Sequence, residues 1–116
     1  MSKNTSNPQI AVILGSDSDL ATIDGCVKTL DELGLTCELR ILSAHRTPRQ
    51  LTRYVESLQT RGVKVVIAAA GLSAALPGVV AAHTLLPVIG IPVNAGSLGG
   101  LDALLSISQM PPGVPV

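Results

Sequence analysis

Short uninterrupted apolar runs alternate along this chain with stretches whose apolar residues return every three or four positions. That is the pattern of a parallel sheet wound by crossover helices. Gln9 to Leu14 is the first run, stopped by Gly15, and it predicts a central strand. From Asp19 to Leu33, the residues Ile23, Cys26, Val27, Leu30 and Leu33 fall near helical spacing, and Gly34 supplies a C-terminal cap, so a first helix is predicted there. Thr36 to Leu42 alternates like a strand. Pro48 then stands where the first turn of a helix accepts it, and Leu51, Tyr54, Val55 and Leu58 form one face of a second helix reaching about Thr60. A third strand is predicted from Val63 to Ala70, a small-residue loop from Gly71 to Pro77, then a third helix and a fourth strand from Leu86 to Val93. Asn94 to Gly100 reads as a loop and Leu101 to Gln109 as a last helix. Pro111, Pro112 and Gly113 make a turn, after which Val114 to Val116 reads as the start of a fifth strand.

Composition narrows this picture. The 116 residues are 47% hydrophobic but only 1% aromatic, so the core is expected to be built from Ala, Val, Leu and Ile. One domain of that length holds one core and one site. Residues 1–8 are polar, lack the apolar stretch of a signal peptide and read as a disordered tail, leaving 9–116 as a single α/β domain. A formal net charge of zero provides no global field toward nucleic acid or a membrane surface, and no apolar run approaches the roughly 20 residues that span a bilayer. A cytoplasmic address without nucleic-acid or membrane partners is expected. Cys26 and Cys37 lack metal-ligand spacing, and His45 and His83 are the only histidines, too few for a zinc site of about three or four ligands. No metal is expected.

The unusual segments all fall at strand exits, the edge where open parallel sheets bind ligands. In Gly15-Ser16-Asp17-Ser18-Asp19, serine hydroxyls and backbone amides before a helix can donate to phosphate, while Asp19 suits ribose hydroxyls better. Ser and Asp at a helix start are equally ordinary N-caps. Ser43-Ala44-His45-Arg46-Thr47-Pro48 places a proton-transferring imidazole beside a guanidinium able to grip phosphate or carboxylate with two donors. Read alone, it serves equally as a capping loop, and Thr47 and Pro48 are assigned to starting the helix. Gly71 to Gly78 offers backbone amides and little side-chain chemistry, and it serves equally as a tight turn. His83, among Ala81, Ala82 and Leu85, is read as structural, and Asp102 as a helix-start residue.

Taken together, Gly-Ser-Asp-Ser-Asp at 15 to 19, Ser-Ala-His-Arg-Thr-Pro at 43 to 48, Ala-Leu-Pro-Gly at 75 to 78 and Ser-Ile-Ser-Gln-Met-Pro at 106 to 111 resemble the N5-carboxyaminoimidazole ribonucleotide mutase family over nearly the whole chain. The resemblance implies a doubly wound, flavodoxin-like α/β fold with helices on both faces of the sheet. It implies an isomerase of purine biosynthesis, usually a homo-octamer, that moves a carboxylate from the exocyclic amine of an aminoimidazole ribonucleotide to ring carbon 4. No metal or organic cofactor is implied. Carried over position by position, Ser16, Ser18 and Arg46 would hold the phosphate, Asp19 the ribose, and His45 would be the catalytic acid and base. Ser43, Gly71 and Ser73 would complete the substrate site, with the loops at 71 to 78 and 94 to 100 closing over base and carboxylate.

Two departures accompany the resemblance. Ala75 stands where many members carry a histidine, so a proton-relay or carboxylate-contact role at that position is lacking. Members also continue past the point matching Val116 through a fifth strand and a terminal helix, which this chain is expected to lack. The nearest rival is a carboxylase using free carbon dioxide on aminoimidazole ribonucleotide. Members of that type tend to carry Lys after the histidine, so Arg46 favours the mutase. A related pyridinium dinucleotide-precursor carboxylase lacks the Ser-Ala-His-Arg-Thr-Pro segment, and a non-catalytic nucleotide-binding fragment is the alternative from a different class.

Overall fold

The computed structural model describes residues 7–116. Its centre is a four-stranded, all-parallel sheet in the order β2-β1-β3-β4, built from β1 (Ile10–Leu14), β2 (Cys37–Ile41), β3 (Val65–Gly71) and β4 (Val88–Val93). The helices are α1 (Leu20–Glu32), α2 (Pro48–Leu58), α3 (Leu76–Ala82) and α4 (Leu101–Ser108). This order and alternation are those of the doubly wound, flavodoxin-like fold.

The apolar runs become strands because both sheet faces are covered. Ala11, Val12, Ile13 and Leu14 have no exposed surface. On one face Ala11, Ile13, Val66 and Ala68 pack under Leu51, Val55 and Leu58 of α2, Val80 of α3, and Ala103 and Ile107 of α4. On the other face Val12, Leu14 and Ala69 meet Ile23 and Val27 of α1. Three helices therefore cover one side and one helix the other. The small-residue strand Ala68-Ala69-Ala70 lets these helices approach closely, as the scarcity of aromatic residues requires.

Helix ends follow local chemistry. Gly34, at φ 75°, closes α1 with Leu35 N–H donating to Leu30 C=O at 2.9 Å and Gly34 N–H to Asp31 C=O at 3.0 Å. Gly62 repeats the arrangement beyond α2, with Val63 N–H donating to Leu58 C=O at 3.1 Å.

Several boundaries differ from those expected. Asp17–Asp19 is a 3-10 turn rather than loop and first helical turn, because the Ser16 hydroxyl accepts from Ser18 N–H and tightens the segment. Leu76 and Pro77 belong to α3 rather than to the preceding loop, with Pro77 in the first turn where its missing N–H costs nothing. Leu86 and Pro87 precede β4, since Leu86 N–H is turned onto the Thr84 hydroxyl and Pro87 has no N–H to give. The expected start of a fifth strand is not formed: 114–116 carry no ladder to β4. Val114 N–H is instead taken by Pro111 C=O, and Val116 packs beside Gly90. Of the tail expected over 1–8, residues 1–6 lie outside the described residues, while Pro8 is fully buried.

Candidate active site

The chain leaves β1 toward β2 and then crosses back to place β3 on the other side of β1, so strand order reverses between the exits of β1 and β3. A cleft of about 620 Å³ opens at that point, and its lining comes from four loops, each following a strand.

The β1 exit contributes Gly15, Ser16, Ser18 and Asp19. The two serine hydroxyls are 3.0 Å apart, and Ser16 Oγ accepts from Ser18 N–H at 3.3 Å, so the hydroxyls share one small surface ahead of α1. Asp19 is buried although its side chain makes no capping hydrogen bond to α1. Burial and the neighbouring Asp17 carboxylate raise its carboxyl above the ordinary value, against a hydrogen bond from the Ser16 backbone. The Ser16 backbone thus holds this carboxyl at the start of α1, in the lining of the cleft.

The β2 exit contributes Ser43, Ala44, His45 and Arg46. A compact set of bonds shapes this loop: Ser43 N–H donates to Thr47 Oγ1 at 2.9 Å, Thr47 N–H to Ser43 C=O at 3.0 Å, and Arg46 N–H to Ser43 Oγ at 3.1 Å. Thr47 thus closes the loop rather than capping α2 with its side chain, and Pro48 alone fits the helix start. His45 is left at the exposed tip of the turn, facing the cleft, and Arg46 Nη2 reaches Gly15 C=O at 3.5 Å and ties the second loop to the first.

The β3 exit contributes Ala70, Gly71, Leu72, Ser73 and Ala75, with Leu76 from the start of α3. Gly71 leaves little space for a side chain, since a Cβ there would stand 3.1 Å from that of Ala95. The fourth loop supplies only Ala95. Ser97 to Gly100 form the turn before α4, so Ala95 is what remains of the wall expected from 94 to 100. Asp102 lies in the first turn of α4 and accepts from Ala103 N–H at 3.0 Å, as a helix-start residue does. His83 lies apart, exposed at the C-terminal end of α3.

All eight residues expected in the site (His45, Ser16, Ser18, Asp19, Ser43, Arg46, Gly71 and Ser73) therefore line one cleft. Its two sides differ in chemistry. Hydroxyls, a carboxylate, an imidazole and a guanidinium face from the first two loops, while the last two present mainly alanines and leucines, with Gly71 and the Ser73 hydroxyl. Leu72 and Ala95 also line the cleft; both lie in the loops expected to close over it, although neither is singled out by the sequence as a site residue. Among the described residues, no three His, Cys, Asp or Glu side chains stand close enough to hold a metal ion, and no helix is long and apolar enough to cross a membrane.

The chain and its fold have counterparts among known proteins. A protein from Pyrococcus abyssi named N5-carboxyaminoimidazole ribonucleotide mutase is 50% identical over 109 residues, covering 94% of this chain and 63% of the relative. A Bacillus subtilis protein of the same name is 51% identical over 109 residues, covering 94% of this chain and 67% of the relative. The crystal structure of Treponema denticola PurE superposes with a TM-score of 0.81 at 30% identity, over 91% of this chain and 68% of that one. The chain thus spans about two thirds of the length of such relatives. The family pattern described as AIR carboxylase matches residues 9–116, a stretch that holds the whole sheet and every lining residue of the cleft, and the chain belongs to that family.

Proposed function

We propose that this chain carries N5-carboxyaminoimidazole ribonucleotide mutase activity, converting N5-carboxyaminoimidazole ribonucleotide to 4-carboxy-5-aminoimidazole ribonucleotide in purine biosynthesis. The observation that carries the reading is the convergence of His45, Arg46, the Ser16 and Ser18 hydroxyls and Asp19 in one cleft. The names borne by proteins half identical to this chain support it.

In this reading the guanidinium of Arg46 and the hydroxyls of Ser16 and Ser18 receive the phosphate, and the Asp19 carboxylate accepts from ribose hydroxyls. Ser43, Gly71 and Ser73 border the base. The His45 imidazole gives its proton to the carbamate nitrogen, and the N–C bond breaks to release carbon dioxide. Ring carbon 4 then forms a bond to that carbon dioxide, and His45 takes the proton that carbon 4 sheds. One proton leaves the imidazole and one returns, so the sum is an isomerisation without a cofactor. The alanine-rich side of the cleft limits escape of the carbon dioxide.

The same reading includes a homo-oligomer, octameric in the resemblance, working in the cytoplasm on a small-molecule ribonucleotide. Leu101, Leu104 and Leu105 recur along one face of α4 at 54%, 48% and 45% exposure, which supports self-association. A single monomer boundary in sedimentation velocity would count against that part.

His45→Asn is expected to lower turnover of the carbamate by about 100-fold or more while nucleotide binding stays nearly unchanged. Equal turnover in the variant removes His45 from the mechanism. The family description itself favours a second reading, direct carboxylation of aminoimidazole ribonucleotide by free carbon dioxide. Turnover of that substrate pair but not of the carbamate would establish it in place of the mutase.

A further inference from the structure

A nucleotide held by the polar side of the cleft presents its flat ring to the other side, and this chain has little with which to receive a ring. It contains no Trp or Phe, and its one Tyr, Tyr54, is engaged by Glu38 away from the cleft. Among the lining residues only Leu72 and Leu76 carry large apolar side chains. Leu76 is 2% exposed and belongs to the floor, whereas Leu72 is 54% exposed.

Leu72 is also the only non-glycine residue at positive φ among the described residues, at 56°. An L-residue with a branched side chain seldom adopts that conformation, and Gly or Asn does so with far less strain. Two short turns hold it there, with Ala74 N–H donating to Leu72 C=O at 2.8 Å and Ala75 N–H to Ser73 C=O at 2.7 Å. The strained backbone aims the side chain across the rim toward the fourth loop. A Cβ placed on Gly96, itself at φ 70°, would stand 2.8 Å from Leu72 Cδ2. Leu72 is therefore a bar laid from the third loop to the fourth. Its remaining apolar surface is left exposed at the rim of the cleft among the described residues.

We propose that Leu72 is the specificity-determining wall of the cleft: its side chain packs against the face of the ligand's neutral heteroaromatic ring, while the opposite side holds ribose and phosphate. The assignment rests on the ribonucleotide reading above. It divides recognition between two walls, so loss of Leu72 weakens only ligands that have a ring.

The test titrates two probes, 5-aminoimidazole ribonucleotide and ribose 5-phosphate, into the unaltered protein and into Leu72→Asn and Leu72→Gly. Both replacements accept positive φ, so the loop keeps its path and the melting temperature is expected to hold. The ribonucleotide is expected to bind about tenfold more weakly to each variant, the equivalent of losing part of one leucine's buried apolar surface. Ribose 5-phosphate is expected to bind all three proteins alike. Undiminished ribonucleotide binding overturns the proposal. Equal weakening of both probes also overturns it, since that result assigns Leu72 to the shape of the loop. Failure of the unaltered protein to bind either probe overturns the ribonucleotide reading and this assignment with it.

Discussion

The same substitution has opposite consequences at two glycines. Gly25 lies inside α1, is exposed, and has nothing within 4 Å of where a Cβ would stand. Gly25→Ala therefore adds no contact and removes backbone freedom from the unfolded chain, which is expected to stabilise the protein by about 0.5–1 kcal/mol. At Gly90 in β4 a Cβ would meet Ile107 Cγ2 at 2.5 Å and Pro77 Cβ and Val116 Cγ1 at 3.3 Å each. None of these atoms is the end of a flexible side chain, so Gly90→Ala has to displace α4 and is expected to destabilise by about 1–3 kcal/mol. Urea midpoints at unchanged slope read both effects, and shifts of the same sign would refute the packing argument. Sequence hints at both cases, since a glycine in a helix is a cost and one in a strand marks close approach. Leu72 gave no such hint. Its positive φ goes with two short turns inside the third loop that no residue type there announces, and a leucine in a small-residue loop looks like any other. That the eight residues named from the sequence line one cleft follows from their place at strand exits, where the polar ones stand out against apolar runs, while Gly71 and Ser73 are named through the family resemblance.

Among the elements, α2 is attached to the sheet edge by charge as well as by its leucines. Glu38, on β2 with 1% of its side chain exposed, receives Arg61 through both terminal nitrogens at 2.9 Å, Tyr54 Oη at 2.7 Å and Arg40 Nη2 at 3.0 Å. Arg40 also lies 5.6 Å from the centre of the Tyr54 ring. Alternation predicted the strand but not this cluster, because its partners stand 16 and 23 residues away and meet only after α2 docks. Burial raises the Glu38 carboxyl, yet hydrogen bonds from Arg61 and Tyr54 and the charges of Arg40 and Arg61 outweigh it and hold the group below the ordinary 4.5. Burial, with the Glu38 carboxylate beside it, pushes the Tyr54 hydroxyl up, so it remains a donor. A carboxyl more acidic folded than unfolded contributes stability in full above about pH 4.5 and loses it as pH falls through the lower folded value. Asp19, with its carboxyl raised, works in the other direction. Glu38→Gln is expected to lower stability at pH 7 by about 1–3 kcal/mol and to flatten the acid limb below pH 4.5. Urea midpoints from pH 7 to pH 3 decide it, and parallel curves for the two proteins would place the acid dependence elsewhere.

For the whole molecule, strand order settles both where the cleft opens and how firmly each part of the sheet is held. Apolar runs identified the strands but not their order, because β1 and β3 look alike in sequence and become neighbours only through the crossover. One edge was legible in retrospect: Pro92, which has no N–H to donate, is suited to an edge strand, and β4 is one. The two central strands are paired on both sides, and Ala11 to Leu14 together with Val66, Ala68 and Ala69 have no exposed surface. β4 is paired to β3 alone, and Ile89 on it is 53% exposed because, among the described residues, α1 is the one helix on that face of the sheet. Opening β4 breaks one ladder and uncovers Val88, Val93 and one edge of β3, whereas opening β1 or β3 breaks two ladders and dismantles the core. The backbone amides of β1 and β3 are therefore expected to exchange with solvent only through global unfolding, and those of β4 through a smaller local opening, at least about 100-fold faster. Native-state hydrogen exchange across a denaturant series measures this. Equal free energies for all three strands would show that β4 opens with the core, and the uneven covering of the two faces would then carry no consequence for stability.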